Sequence, residues 1–216
     1  MAVLDYGMGN RRSVQKALEH VGGRAIITRD RSELAAADGL VVPGVGAFPQ
    51  AMQNLRELGL EEPIRAAAAA GQPLLGICLG MQLLFERSEE HRPTEGLGLI
   101  PGVVTQLDRG GLRLPHIGWN EVVFERPSPL TASLPAGGCP FYHVHSFAAR
   151  PAEPGDVVGS TVYGERFATI VARGSVFGVQ FHPEKSSGFG LRMLEGFVGL
   201  CQGGAALTAP SAALRA

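Results

Sequence analysis

The chain has 216 residues, of which 45% are hydrophobic, and its 19 basic and 20 acidic residues give a net charge of -1. This length is enough to bury a sizeable core, so we expect one large domain. The balanced charge gives no electrostatic reason to expect a nucleic acid or an anionic membrane as partner. Three cysteines without a Cys-x-x-Cys spacing argue against a disulfide scaffold or a zinc ribbon. No apolar run approaches the length of a membrane span, and we expect a soluble, cytoplasmic protein.

The first part of the chain alternates short apolar segments with helical patterns. Buried strands are predicted for the apolar segments at residues 2–4, 25–27, 40–42 and 74–77. Apolar residues at helical spacing predict helices over residues 13–21, 50–58 and 64–70. Strand, helix and strand at this rhythm indicate a mostly parallel open sheet with helices on its faces, an α/β fold.

From Glu95 onward the pattern changes to short apolar segments broken by glycine and proline. Strands are predicted at residues 103–107, 122–124, 141–144, 157–161, 168–172 and 176–181. Because no helices separate them, they predict hairpins that form an antiparallel extension beside the parallel sheet. A last helix is predicted near residues 189–200. We expect the domain to cover residues 1–202 and residues 203–216, rich in Gly, Ala and Ser, to form a mobile tail.

A single cysteine lies between two glycines where a buried strand gives way to a helical pattern, in Gly76-Ile77-Cys78-Leu79-Gly80. A Gly-x-nucleophile-x-Gly turn has this form, because side chains at the flanking positions would clash where the chain folds back. The first turn of a helix also favours the thiolate form of a cysteine. The pattern therefore predicts a nucleophile at Cys78, with an ordinary buried cysteine as the alternative.

A thiolate nucleophile needs a base, and the base needs an acceptor that orients it. The sequence offers both in His182-Pro183-Glu184, at the end of the last predicted strand. If the strand geometry persists through Pro183, the two side chains project to the same side and the carboxylate can fix the tautomer of the imidazole. A triad of Cys78, His182 and Glu184 follows if the end of that strand lies beside the turn at Cys78. Taken alone, His-Pro-Glu is more often a surface turn.

Two glycine-rich loops leave the predicted strands in the first part of the chain. Gly7-Met8-Gly9 is not a dinucleotide-binding fingerprint, because Arg12 stands where that pattern needs its third glycine. The second loop, Pro43-Gly44-Val45-Gly46, follows the strand at 40–42, at the edge where open α/β sheets hold their ligands. Its glycines would let a backbone N–H turn toward a carbonyl oxygen, as an oxyanion hole requires. The alternative is a plain strand-to-helix turn.

His143 and His145 alternate on a predicted strand and could bind a metal together with His116. No Asp or Glu stands at a matching spacing, and two histidines on a strand are more often hydrogen-bonded or at the surface, so we expect no metal and no cofactor. Trp119, the only tryptophan, packs in a core by default. An exposed aromatic beside polar residues would instead indicate a surface for a partner protein.

Taken together, five segments resemble the class I, triad-type glutamine amidotransferases over about residues 1–202. The segments that carry the resemblance are Asp5-Tyr6-Gly7-Met8-Gly9-Asn10, Pro43-Gly44-Val45-Gly46-Ala47-Phe48, Gly76-Ile77-Cys78-Leu79-Gly80-Met81-Gln82, His116-Ile117-Gly118-Trp119-Asn120 and Gln180-Phe181-His182-Pro183-Glu184-Lys185-Ser186. The Pro-Gly-Val-Gly, Gly-Trp-Asn and Glu-Lys-Ser pieces are similar to those of glutaminase subunits that form heterodimers with a (β/α)8-barrel cyclase. That cyclase makes imidazole glycerol phosphate and AICAR in histidine biosynthesis.

The resemblance implies a role for each residue of the predicted triad. Cys78 would attack the side-chain amide of glutamine, His182 would act as general base and then acid, and Glu184 would orient His182. A glutamyl thioester would form, ammonia would leave for the cyclase, and water would release glutamate. The oxyanion would be held by the backbone N–H of Leu79 and, after a peptide flip in the Pro-Gly-Val-Gly loop, by that of Val45.

The resemblance also implies residues for substrate binding and for the subunit interface. Those expected to bind glutamine are Gly44, Gly46 and Gln82, and those expected at the interface with the cyclase are Asn10, Trp119 and Lys185. Two positions depart from the family pattern: Arg11 replaces a residue that is commonly apolar, and His143 replaces an aromatic one. Two alternatives stay open, a glutaminase for another pathway such as pyridoxal phosphate or guanylate synthesis, and a noncatalytic binding subunit of the same fold.

Overall fold

The computed structural model describes residues 1–203, in which thirteen strands and six α-helices occur. The strands are β1 (Ala2–Leu4), β2 (Ile26–Thr28), β3 (Leu40–Val42), β4 (Leu74–Ile77), β5 (Phe85–Ser88), β6 (Thr94–Glu95), β7 (Ile100–Gln106), β8 (His116–Phe124), β9 (Gly138–His145), β10 (Phe147–Pro151), β11 (Val157–Tyr163), β12 (Glu165–Arg173) and β13 (Val176–Val179). The helices are α1 (Arg11–His20), α2 (Arg31–Ala36), α3 (Phe48–Glu57), α4 (Glu61–Ala69), α5 (Leu79–Leu83) and α6 (Ser187–Cys201). Within this part of the chain no helix is long and apolar enough to cross a membrane.

One nine-stranded sheet runs through the molecule in the order β2-β1-β3-β4-β13-β12-β11-β8-β9. The pairings from β2 to β13 are parallel, and those from β13 to β9 are antiparallel. The predicted α/β fold with an antiparallel extension is therefore confirmed, and the extension continues the parallel sheet edge to edge. Strand β13 lies where the two halves meet, directly beside β4.

Both faces of the parallel part are covered, because successive residues of a strand point to opposite sides. On β3, Val41 packs in a cluster with residues of α1 and α6, whereas Val42 packs in a second cluster with residues of α3 and α4. The neighbouring strands β1 and β4 alternate in the same way. This is why the strand segments read as continuous apolar runs in the sequence.

A second sheet of four strands, in the order β10-β7-β5-β6, was not predicted. The apolar run after Cys78 reads as one helix, but α5 ends at Leu83 and Phe85 begins β5, which pairs with β7. This is a tertiary effect, since the pairing partner lies fifteen or more residues further along the chain. The short helix α2 was also missed; it is capped by Asp30, whose side chain accepts from the Ser32 and Glu33 N–H groups.

The boundaries of the other elements differ from the predicted ones at their ends. Helix α1 begins at Arg11 and not at the predicted serine cap, because Asn10 takes a left-handed conformation with a φ of 73° that turns the chain into the helix. The predicted tail lies, apart from Gly203, outside the described residues. The division of the chain at residue 202 therefore stays a prediction.

The contact between α5 and β3 gives a test of this packing. A Cβ added at Gly80 would lie 1.7 Å from the Val42 carbonyl oxygen, so Gly80→Ala forces the helix away from the strand. We expect the free energy of unfolding, measured by chemical denaturation, to fall by about 3 kcal/mol. The matched control is Gly188→Ala in the first turn of α6, where the new Cβ meets no atom within 4 Å. Equal stability of the two variants would contradict the packing described.

Candidate active site

The turn at Cys78 connects the central strand β4 to helix α5. Cys78 has φ 55° and ψ -111°, a conformation that residues other than glycine rarely adopt. Its N–H donates to the Val179 carbonyl at 2.7 Å, which ties the turn to the end of β13. The flanking glycines are required as predicted, because a Cβ at Gly76 would lie 2.6 Å from the Gly80 carbonyl oxygen. The cysteine is thus held at the carboxyl edge of the sheet, 6% exposed.

The structure brings His182 and Glu184 to this edge. The His182 Nδ1 lies 2.8 Å from a Glu184 carboxylate oxygen, and the two side chains are 2% and 0% exposed. The strand geometry does not persist through Pro183 as the prediction required: β13 ends at Val179, and Pro183–Lys185 is a 3-10 turn. The tight turn nevertheless folds the carboxylate back onto the ring. Because β13 pairs with β4, the two ends that carry His182 and Cys78 are adjacent.

The charge state of His182 follows from its partners. Burial by itself lowers the pKa of His182. The hydrogen bonds to Cys78 and Glu184 and the negative charges of these two groups have a larger, opposite effect, so the pKa is raised from 6.5 to about 10. His182 is therefore protonated at neutral pH. Burial raises the pKa of the Cys139 and Cys201 thiols to about 12, so both stay neutral.

The positions expected at a partner interface lie around the same turn. Asn10 donates from its side-chain amide to the same Glu184 oxygen that faces His182, so it contacts the carboxylate directly. Lys185 is exposed and lies at the rim of the adjacent cavity. Trp119 is 52% exposed, and its ring lies 6.2 Å from that of Tyr142 on β9. The default that this tryptophan packs in a core is wrong, and the exposed alternative holds.

A cavity of about 280 Å³ opens beside the cysteine. Its lining includes Val45, Gly46, Leu79 and Gln82 together with Cys78 and His182. The Gln82 amide nitrogen donates to the Phe147 carbonyl at 2.9 Å and to the Gln180 side chain at 3.0 Å, which fixes its orientation.

Gly44, which was predicted to bind substrate, does not line this cavity. It is buried behind the cavity wall, where a Cβ would lie 2.5 Å from the Tyr6 hydroxyl oxygen and 3.1 Å from the Leu79 Cβ. A larger cleft of about 640 Å³ lies elsewhere, around residues 124–137, and its lining contains neither cysteine nor histidine.

Glu90 is a cavity residue that the sequence interpretation missed. Its carboxylate accepts from the Phe48 N–H at 2.7 Å, at the start of α3, and its side chain is 14% exposed. In the sequence it is one of two adjacent glutamates near a turn, with no local pattern that separates it from Glu89. Only the fold carries it to the cavity wall.

The three histidines considered as metal ligands do come together, but their nitrogens face one another or protein acceptors. The His145 Nδ1 lies 2.9 Å from the Phe147 carbonyl, so it carries the proton, and its Nε2 accepts from the His116 Nδ1 at 3.1 Å. His143 contacts the Thr169 hydroxyl at 2.9 Å. Burial lowers the pKa of His116 to about 4 and of His145 to about 3.

Contacts within the protein account for the histidine cluster and for His143 and Arg11, the two departures from the family pattern. Among residues 1–203 no group of three or more His, Cys, Asp or Glu side chains has an arrangement that could hold a metal ion. His143, which departs from the family pattern, stacks on the His116 ring at 4.9 Å. Arg11, the other departure, forms an ion pair with Asp5. The side-chain hydrogen bonds of both residues go to groups other than Cys78, His182 and Glu184.

The fold and this site define an α/β protein with a cysteine, histidine and glutamate at the carboxyl ends of parallel strands. The model of the family described as "Glutamine amidotransferase class-I" matches residues 2–199, and the chain belongs to this family.

Relatives and solved structures agree with this assignment. The chain is 52% identical over 197 residues to a Moorella thermoacetica protein named imidazole glycerol phosphate synthase subunit HisH, covering 91% of this chain and 93% of that one. It is 50% identical to the Symbiobacterium thermophilum protein of the same name, over 90% and 91% of the two chains. A crystal structure titled as a glutamine amidotransferase has the same fold, with a TM-score of 0.73 at 21% identity over 93% and 98% of the chains.

Replacing the carboxylate beside His182 should move its titration. The hydrogen bond and charge of Glu184 both raise the pKa of His182, so Glu184→Gln is expected to lower it. Because the folded-state value lies above the ordinary 6.5, the stability that this group contributes is present below pH 6.5 and is lost as pH rises through about 10. In the variant this contribution should be smaller, and its loss should be complete at a lower pH. Nitrogen-15 NMR of the histidine rings follows the titration, and chemical denaturation at several pH values follows the stability.

The control for this titration is Glu165→Gln, which removes a carboxylate paired with Arg150. It should leave the His182 resonances unchanged. The charge state assigned to His182 would be contradicted if the wild-type ring were neutral at pH 8, or if Glu184→Gln did not lower its pKa.

Proposed function

We propose that this chain is the glutaminase subunit of an imidazole glycerol phosphate synthase, hydrolysing glutamine to glutamate and ammonia for a (β/α)8-barrel cyclase partner. The observation that carries the proposal is Cys78 beside the buried His182–Glu184 pair, at the wall of a cavity of about 280 Å³. The names of relatives that are 52% and 50% identical over nine-tenths of the chain support the choice of pathway. They argue against the pyridoxal phosphate and guanylate alternatives.

In the first half-reaction, the Cys78 sulfur attacks the side-chain carbonyl carbon of glutamine. The carbonyl electrons move onto oxygen, and a tetrahedral oxyanion forms. Protonated His182 donates its proton to the amide nitrogen, the carbon–nitrogen bond breaks, and ammonia leaves. The carbonyl re-forms as a glutamyl thioester on Cys78. The raised pKa of His182 supports this order, because the proton that the leaving group needs is already on the ring.

In the second half-reaction, water hydrolyses the thioester. His182, now neutral, accepts a proton from the water as it attacks the carbonyl carbon. The resulting tetrahedral species collapses, the Cys78 sulfur leaves as thiolate, and glutamate is released with His182 protonated again. Glu184 accepts a hydrogen bond from the ring nitrogen that faces away from the sulfur and holds the ring in place throughout.

Two backbone N–H groups would hold the oxyanion. Leu79 is the first residue of α5, and the first N–H groups of a helix have no partner within the helix. Val45 lies in the oxyanion loop, defined here as residues 43–46, and lines the cavity with Leu79. Gly46 and Gln82 line the same cavity and would contact the amino-acid end of glutamine.

Glu90 is the residue we assign to the α-ammonium group of glutamine. It supplies the carboxylate among the cavity-lining side chains, and the Phe48 N–H holds it in position. A charge-assisted hydrogen bond to an ammonium group is stronger than one between neutral groups. Glu90 would therefore distinguish an amino acid from a simple amide.

The ammonia passes from this site to the cyclase, so the partner has to cover the active-site edge. Asn10 donates a hydrogen bond to Glu184, Lys185 is the next residue in the chain, and Trp119 exposes its ring beside Tyr142. An exposed tryptophan beside polar groups has the composition of an interface centre. We assign these three residues to the contact with the barrel subunit.

The experiment that tests the function is Cys78→Ala in the complex with the cyclase. Glutamine-dependent formation of imidazole glycerol phosphate should fall by about 10³-fold or more, because the thioester cannot form. Synthesis from added ammonium salt should continue, since the barrel is unchanged. The control is Cys139→Ala, another buried cysteine with no histidine partner, which should keep glutamine-dependent synthesis.

Two outcomes would contradict the function. Glutamine hydrolysis that survives Cys78→Ala would remove the nucleophile from the mechanism. The noncatalytic alternative would be favoured if the wild-type complex made imidazole glycerol phosphate from added ammonia but not from glutamine.

The substrate assignment of Glu90 gives a separate prediction. Glu90→Gln keeps an acceptor for the Phe48 N–H but removes the charge, so the KM for glutamine should rise about tenfold or more. The rate at which iodoacetamide alkylates Cys78 should not change. Glu89→Gln, at the exposed neighbouring position, is the control and should leave KM unchanged. An unchanged KM in Glu90→Gln would remove this residue from the substrate site.

A further inference from the structure

The loop between β1 and α1, residues 5–10, packs directly on the oxyanion loop. A Cβ added at Gly46 would lie 2.7 Å from the Met8 Cε, and one added at Gly9 would lie 3.0 Å from a Val45 methyl carbon. A Cβ at Gly44 would lie 2.5 Å from the Tyr6 hydroxyl oxygen. Glycines at these three positions therefore let the two loops pack closely.

Tyr6 makes the one hydrogen bond we identify between these two loops. Its side chain is 0% exposed, and its hydroxyl donates to the Pro43 carbonyl at 2.6 Å. Burial raises the pKa of Tyr6 far above its usual range, and the negative charge of Cys78 adds to this effect. The phenol therefore stays protonated and remains a donor at any pH at which the enzyme works.

The oxyanion loop is anchored at both ends and free between them. Tyr6 holds the Pro43 carbonyl at its start, and Glu90 holds the Phe48 N–H just after its end. Between these anchors Gly44 has no side chain to hinder rotation, and Val45 is 38% exposed. A planar peptide can turn over by rotation about the bonds on either side of it while its neighbours stay in place.

We propose that Tyr6 is a positioning residue for glutamine hydrolysis. Its hydroxyl fixes the Pro43–Gly44 peptide, so that rotation in the oxyanion loop is confined to the Gly44–Val45 peptide and brings the Val45 N–H onto the oxyanion. The inference rests on the proposed function, because it places the effect of Tyr6 in the transition state of that reaction. Tyr6 acts through Val45 and has no role in binding the amino-acid end of the substrate.

The test is Tyr6→Phe, assayed for glutamine hydrolysis in the complex with the cyclase. Loss of a direct oxyanion donor lowers kcat by about 10²–10³, so loss of the group that positions a donor should lower it by about tenfold. The KM for glutamine should stay within about twofold, since substrate and transition state are affected differently. Alkylation of Cys78 by iodoacetamide should be unchanged, because displacement of iodide forms no oxyanion. A merely structural role would slow both reactions.

The chain offers a matched control in Tyr163→Phe. The Tyr163 hydroxyl also donates to a backbone carbonyl at 2.6 Å, that of Arg113, and neither residue lines the cavity beside Cys78. This variant should keep the wild-type kcat. It measures how much kcat changes when a tyrosine loses a hydrogen bond from its hydroxyl to a backbone carbonyl elsewhere in the protein.

A second variant covers the case in which Tyr6→Phe does not fold. Tyr6→Met keeps a long apolar side chain without the hydroxyl and should show the same fall in kcat with unchanged alkylation. An unchanged kcat in the folded variant, or equal losses of kcat and alkylation, would overturn the role of Tyr6 while the function stands. Absence of glutamine hydrolysis in the wild-type complex would overturn the proposed function and this inference with it.

Discussion

The backbone turn at Cys78 is the constraint on which the rest of the site depends. Its positive φ projects the sulfur from the sheet edge, and the Val179 carbonyl holds its N–H. The helix that follows can begin at once only because Gly80 lets α5 contact the Val42 backbone. The turn after β4 thus contacts the ends of both β3 and β13. The oxyanion loop follows β3, Cys78 follows β4 and His182 follows β13, so the ends of these three strands carry the proposed nucleophile, base and oxyanion loop.

Burial has opposite consequences for different groups of the chain, depending on their partners. For Cys139, Cys201 and the three clustered histidines the effect of burial on the pKa outweighs all others, so each is held in its neutral form. His182 is equally hidden from solvent, but hydrogen bonds and negative charge on both sides reverse the effect. A low-dielectric site strengthens such interactions. The fold thereby places a buried charged pair at the proposed active site and keeps the nearby histidine cluster neutral.

The loop between β1 and α1 connects the two halves of this site. At one end Tyr6 holds the Pro43 carbonyl of the oxyanion loop, and at the other Asn10 donates to Glu184. The five residues from Tyr6 to Asn10 therefore link the loop that would stabilise the oxyanion with the carboxylate that orients the base. A protein partner that contacts Asn10 would reach both through this one segment. The ion pair of Arg11 with Asp5 closes the base of the loop, which gives the departure at Arg11 a structural role.

The sequence by itself determined the parallel strands, the cysteine turn and the pairing of His182 with Glu184, because apolar runs, glycine spacing and a two-residue separation are local signals. It also identified the family through its motifs. Only the tertiary structure decided that α5 stops at Leu83, that Glu90 lines the cavity and that Trp119 faces outward. Each of these depends on partners distant in the chain: β7 for the strand at Phe85, α3 for Glu90 and β9 for Trp119. Contacts between segments that are far apart in sequence leave no local pattern to read.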